Sequence, residues 1–103
     1  MQLPAGSALK VPVTNREQYV LLLERWDDRT WIHCDVSRWG PQAERLLKAD
    51  LAVLHDMIGH SFFATHKVGD EKHYKFLTRL GFKEHGVLTS DYAVYEYGGS
   101  HGD

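Results

Sequence analysis

The sequence predicts one mixed α/β domain, a sheet carrying two helices, in the order strand, strand, strand, helix, strand, helix, strand, strand. Three observations lead there. Residues 40–59, "GPQAERLLKADLAVLHDMIG", place a proline where a helix can begin and a glycine where it can end, with an amphipathic repeat between them. A second amphipathic run, "DEKHYKFLTRL", stops at Gly81. Short β-rich segments flank both, so the first helix is a right-handed crossover between parallel strands, and hairpins at either side add antiparallel ones.

Taken in order, "MQLPAGS" (1–7) is a loose lead-in and "GGSHGD" (98–103) a loose tail, leaving residues 8–97 as the domain. In "ALKVPV", Leu9, Val11 and Val13 alternate with Lys10 and Pro12, the pattern of an edge strand, because proline cannot donate to a ladder. The stretch "QYVLLLERWDDRTWIHCDV" admits two readings. Thr14 and Glu17 have capping-box spacing, and Tyr19, Leu22, Leu23 and Trp26 fit one helical stripe. "WDDR", however, breaks the run like a turn, and Trp31, Ile32 and Val36 suit a strand; the hairpin is favoured. On the first helix, Ala43, Leu46, Leu47, Leu54, Met57 and Ile58 form the expected apolar face with Leu51 on its flank. "SFFAT" is a short buried strand, and the second helix buries Phe76, Leu77 and Leu80. "KEHGVL" and "YAVYEY" close the sheet.

Composition narrows the function classes. The 103 residues include 43% hydrophobic residues, with three Trp, five Tyr and four Phe, enough for a single core. Lys plus Arg number 12 against 14 Asp plus Glu, which is not the basic excess of a nucleic-acid binder. One cysteine, Cys34, allows no intrachain disulfide and points to a reducing, cytoplasmic setting. No apolar run reaches membrane-spanning length, and no leader pattern is seen. Seven histidines invite a metal search, but neither HExxH nor CxxC spacing occurs, so no metal site is expected. Cys34 in a central strand is expected to be a small buried hydrophobe, and His33 and Glu24 to face each other across the hairpin as a base.

The element order, together with "HYKFLTRLGF", resembles the GCN5-related N-acetyltransferase (GNAT) superfamily, whose second core helix ends in YxxxGF. The resemblance covers roughly residues 18–97 and lacks the family's first strand and the helices that follow it. The closing part, with its HxxFLxxxG run, is also similar to small GNAT-like virion proteins of short-tailed bacteriophages. The resemblance implies acetyl-coenzyme A as cofactor, lying between the strand ending near Val36 and "SFFAT". Its pyrophosphate would sit at a helix start written R/Q-x-x-G-x-G/A. Here Arg38 and Ala43 fill the outer slots, Pro41 stands in the glycine slot, and Gly40 lies beside it. Pro41 removes one N–H donor. The tyrosine that protonates the leaving thiolate is replaced by Leu77, which cannot donate; Tyr74, one turn earlier and offset in angle, is either its substitute or a tyrosine at the solvent-facing rim. Asp70 occupies a cofactor-contacting position and is equally a helix N-cap.

Two functional expectations follow. One is a degenerate GNAT-like protein that grips a host or virion protein with aromatic anchors among Trp26, Trp39, Tyr92, Tyr95 and Tyr97. The alternative is an active N-acetyltransferase with His33 or Tyr74 as acid–base group. The departures at Pro41 and Leu77 favour binding without turnover. Edge strands in so small a sheet also allow a homodimer.

Overall fold

The computed structural model describes residues 10–98; residues 1–9, with the lead-in and Leu9 of the expected edge strand, and residues 99–103 of the tail lie outside them. Its elements are β1 (Val11–Asn15), β2 (Tyr19–Trp26), β3 (Arg29–Val36), α1 (Pro41–Ile58), β4 (Phe62–Lys67), α2 (Glu71–Leu80), β5 (Lys83–Val87) and β6 (Tyr92–Tyr97). They form a mixed α+β fold: one six-stranded sheet in the order β1-β2-β3-β4-β6-β5, with two helices.

The disputed stretch is the hairpin. β2 and β3 pair antiparallel from Tyr19↔Val36 to Trp26↔Arg29. Asp27 and Asp28 both take φ of 56°, the double left-handed turn whose twist matches that of the strands it joins. Aspartate tolerates this conformation better than most residues because its short polar side chain bonds locally. At that end Trp26 stacks on Trp31 with centroids 4.4 Å apart, and Trp31 Nε1 donates to the Trp26 carbonyl oxygen.

α1 runs between two imposed ends. Pro41 opens it, and Gly59 closes it at φ 83°, its N–H donating to the His55 carbonyl oxygen. Its buried residues are Ala43, Leu47, Leu51 and Leu54. Leu51, expected on the flank, is therefore central, and Met57 is 78% exposed. Spacing 43, 47, 51, 54 keeps one line of side chains above the sheet, and Met57 falls beyond the sheet's support. α2 starts at Asp70, whose carboxylate accepts from the His73 backbone N–H. It ends in a paired cap: Phe82 N–H donates to the Leu77 carbonyl and Gly81 N–H to that of Thr78, with Gly81 at φ 102°. This cap brings Leu77 and Phe82 into the same core. The Leu-x-x-x-Gly-Phe run thus has a complete local explanation.

Both helices lie on one face of the sheet. Their leucines join Tyr19, Leu21, Ile32, Phe62, Ala64, Ala93 and Tyr95 in one core cluster. Asp50 of α1 fastens this layer to β2, accepting two bonds from Arg16 (2.6 and 2.8 Å) and one from the Tyr19 hydroxyl (2.5 Å). The sheet's two edges are both blunted. β1 is an edge strand with Pro12 and a bulge beside it, and its Val11 and Val13 are exposed. β5 carries Lys83 and Glu84 and its own bulge before Gly86. Such features discourage edge-to-edge pairing.

Leu51→Ala should cost about 2–5 kcal/mol in urea unfolding, because the side chain is 1% exposed and leaves a cavity. Met57→Ala should stay within about 0.5 kcal/mol. Equal effects would mean that α1 is rotated from the orientation described.

Candidate functional site

Neighbouring strands elsewhere in the sheet share ladders of four to eight residue pairs, but β3 and β4 share one, Trp31↔Phe63. Both residues lie near the start of their strands. Beyond them the strands stop pairing, and the backbone edges of His33–Val36 and Thr65–Lys67 face a cleft of about 1020 Å³. The closed end is held by aromatic packing, with Trp31 against Phe63 at 5.9 Å and the Arg29 guanidinium 5.0 Å above the Phe63 ring.

The cleft runs between two walls on the helix side. Leu47 and Leu51 of α1 line one; Asp70, Lys72, His73, Lys75, Phe76 and Arg79 of α2 line the other. Trp39 stands at the mouth, edge-on to Phe76 at 5.1 Å. Glu44 bridges the walls, accepting from Arg79 at 2.8 Å and pairing with Lys48 at 3.3 Å. A smaller depression adjoins the cleft at the start of α1, lined by Gly40, Pro41, Arg45 and Lys48 with Trp39, Glu44 and Arg79. No side chain caps α1 there. Its first-turn N–H groups point to an edge rich in cations, an arrangement that favours an anion. Lys67, Lys72, Lys75 and Arg79 extend that basic character along the cleft.

The residues singled out from sequence do not all meet. His33 lines the cleft, and its Nε2 lies 2.5 Å from Glu24 Oε1. His33 is directly opposite Leu22, so Glu24 reaches it as a diagonal cross-strand neighbour on the same face. Glu24 as acceptor places the proton on Nε2, leaving Nδ1 as the free ring nitrogen. Val36 and Asp70 also line the cleft, and Gly40 belongs to the adjoining depression. Ala43 belongs to the buried face of α1. Arg38 is a correction: it is exposed beside Glu17 at 3.9 Å, outside both cavities. Tyr74 is another. It lies against Tyr95 and His66, facing away from the cleft, because one residue on a helix turns a side chain by roughly 100° and His73 already takes the inward position.

Cys34 lines the cleft half-buried, and burial, with the Asp35 carboxylate beside it, pushes its thiol up to about 12. A thiol so rarely ionised is a poor nucleophile. Among the proposed aromatic anchors Tyr95 is buried, Trp26 is committed to Trp31, and Tyr97 stacks on Phe62 at 4.8 Å; Trp39 and Tyr92 remain exposed, both at the cleft. The pair that sequence reasoning missed is His66 with His73, whose rings meet at 3.0 Å. Residues seven apart, one on a strand and one on a helix, carry no spacing signal of their own. Among the described residues no three potential metal ligands cluster, and no helix is long and apolar enough to cross a membrane.

Comparison with protein-family models, with curated proteins and with solved structures finds no match to this chain.

Asp70 is accounted for by its cap. Asp70→Ala should cost about 0.5–2 kcal/mol in urea unfolding, whereas Asp70→Asn, which still accepts the His73 N–H, should cost a few tenths at most. A large loss in the asparagine variant would assign the carboxylate charge a separate role.

Proposed function

We propose that the β3–β4 cleft binds a phosphorylated thiol carrier of the acetyl-coenzyme A kind, and that the chain is a reduced, GNAT-like domain whose main activity is binding. The single-pair ladder between β3 and β4 carries this reading. It leaves two strand edges with unpaired amide groups facing a long cleft, and an extended ligand bearing amides can bond to such edges as an added strand does. The uncapped start of α1 with Arg45, Lys48 and Arg79 provides for phosphate groups at one end. The fit is incomplete at Pro41, which gives no N–H, and at Asp70, whose charge opposes phosphate.

Bound there, such a carrier supplies an activated acyl group. The chain offers one pair suited to proton removal from an incoming amine, His33 with Glu24. It offers no hydroxyl at the thiolate-protonating position, since Leu77 is core and Tyr74 faces away. Binding therefore outruns transfer.

A second reading, capture of a host or virion protein, draws support from one surface. Val68, Val87, Leu88 and Tyr92 are exposed together at the open end of the sheet, tied by Val68 N–H to the Asp91 carbonyl and Leu88 N–H to that of Tyr92. They make an exposed apolar patch suited to a polypeptide side chain, and Trp39, exposed elsewhere on the cleft, is a second anchor. Recovery of a bacterial protein by the native chain, lost with Tyr92→Ala or Trp39→Ala, is the outcome this reading expects in a lysate pull-down.

Thermal unfolding with acetyl-coenzyme A tests the first reading. At a hundredfold excess over Kd the gain is about 2.7 kcal/mol, a rise in Tm on the order of 10 °C or more for a domain this size. Lys72→Glu with Lys75→Glu should remove most of that rise. An unchanged Tm at millimolar ligand would sink the proposal.

A further inference from the structure

Trp39 sits in the short loop between β3 and α1 and is 44% exposed, whereas Trp31 is buried and Trp26 is stacked on it. Its ring is held without being covered. Phe76 of α2 meets it at 5.1 Å with the planes 61° apart, a contact that occupies one side of the indole and leaves a face free. A single exposed aromatic needs no explanation by itself. This one stands where two cavities meet, because Trp39, Glu44 and Arg79 line both the cleft and the depression at the start of α1.

The depression carries three cations, Arg45, Lys48 and Arg79, against one carboxylate, Glu44. That carboxylate is already engaged, by Arg79 at 2.8 Å and by Lys48 at 3.3 Å. Positive charge beside an open π-face narrows the ligand chemistry. A cationic ligand is repelled, and a simple anion makes no use of the indole. An apolar side chain makes no use of the cations. An aliphatic phosphate ester, phosphopantetheine included, has nothing to lay on the ring. A nucleotide uses both features: its phosphates meet the cations, and its base, one sugar away, stacks on the indole.

We propose that Trp39 is the stacking platform for the base of a nucleotide. The thiol carrier then turns at its phosphates, with its acyl arm along the cleft and its base over the mouth. This inference rests on the carrier reading above and adds the residue that separates a nucleotide-borne thiol from bare phosphopantetheine. Stacking reads a π-face and not its substituents, so the platform selects for the presence of a base and not for its identity.

Three probes take the ligand apart. Acetyl-coenzyme A is the whole; acetylated phosphopantetheine has the acyl arm and a phosphate but no nucleoside; adenosine 3′,5′-bisphosphate has the nucleoside but no arm. Titration calorimetry compares the native full chain with Trp39→Ala. Affinity for the first and third probes should fall at least about tenfold, and for the second should change less than about twofold. Trp39→Phe keeps a ring in place and should recover most of the lost affinity. Tryptophan emission supplies a second readout. Trp26 and Trp31 line neither cavity, so the bisphosphate should quench the Trp39 contribution alone, and Trp39→Phe should bind it with no quench.

Unchanged affinity of Trp39→Ala for acetyl-coenzyme A would overturn the platform and leave the carrier reading standing. So would an equal loss for acetylated phosphopantetheine, which would make Trp39 a shaper of the cleft. Binding of the bisphosphate alone, still dependent on Trp39, would uphold the platform and sink the carrier. Failure of all three probes to bind the native chain would end both.

Discussion

Beyond Trp31 and Phe63, strands β3 and β4 exchange no ladder bonds, although the crossover through α1 has brought them side by side and parallel. A buried backbone group without a partner is costly, so two central strands can part only where water or a ligand reaches them. Divergence and cleft are therefore one feature. The aromatic cluster of Trp26, Trp31 and Phe63 closes the strands at one end, and the two helices keep the other end from collapsing.

The shared core holds the helices on the sheet, and polar contacts at its periphery fix their positions. Asp50 pins α1 to β2 through Arg16 and Tyr19, and the two-pronged guanidinium contact fixes direction as well as distance. Arg16, first among these partners, holds the Asp50 carboxyl below its usual range. Glu44 ties α1 to α2 across the cleft. α2 is the shorter helix, held at its end by the Gly81–Phe82 cap over the core and at its start by Asp70 and the histidine pair. Of the two walls of the cleft, the one built on α2 is thus the shorter. At the far end of the sheet Gly98, at φ 95°, lies against the His55 ring, where a side chain has no room.

Helix limits, the hairpin and the edge strand were legible because each is written locally: Pro41 and Gly59, "WDDR", Pro12. Burial was less so. Leu51 and Met57 exchanged expected roles because periodicity gives a face but not where the sheet beneath it ends. Among the candidate site residues, His33, Val36, Gly40 and Asp70 reached the cleft region, since strand ends and helix starts flank a crossover by topology. Arg38 found Glu17, and Tyr74 turned away, because a loop's path and a helix's rotation depend on neighbours from distant sequence.

By itself the sequence determined both helices, the closing strands, the order of the elements and the parallel sense of the central pair, because capping, turn chemistry and chirality act over a few residues; it favoured strand over helix at residues 15–25 without deciding between them. Only the tertiary structure decided that β3 and β4 part after one pair, which side chains border the gap, and that His66 meets His73. Those outcomes depend on packing between residues far apart in the chain, and no local rule encodes the distance at which two faces settle.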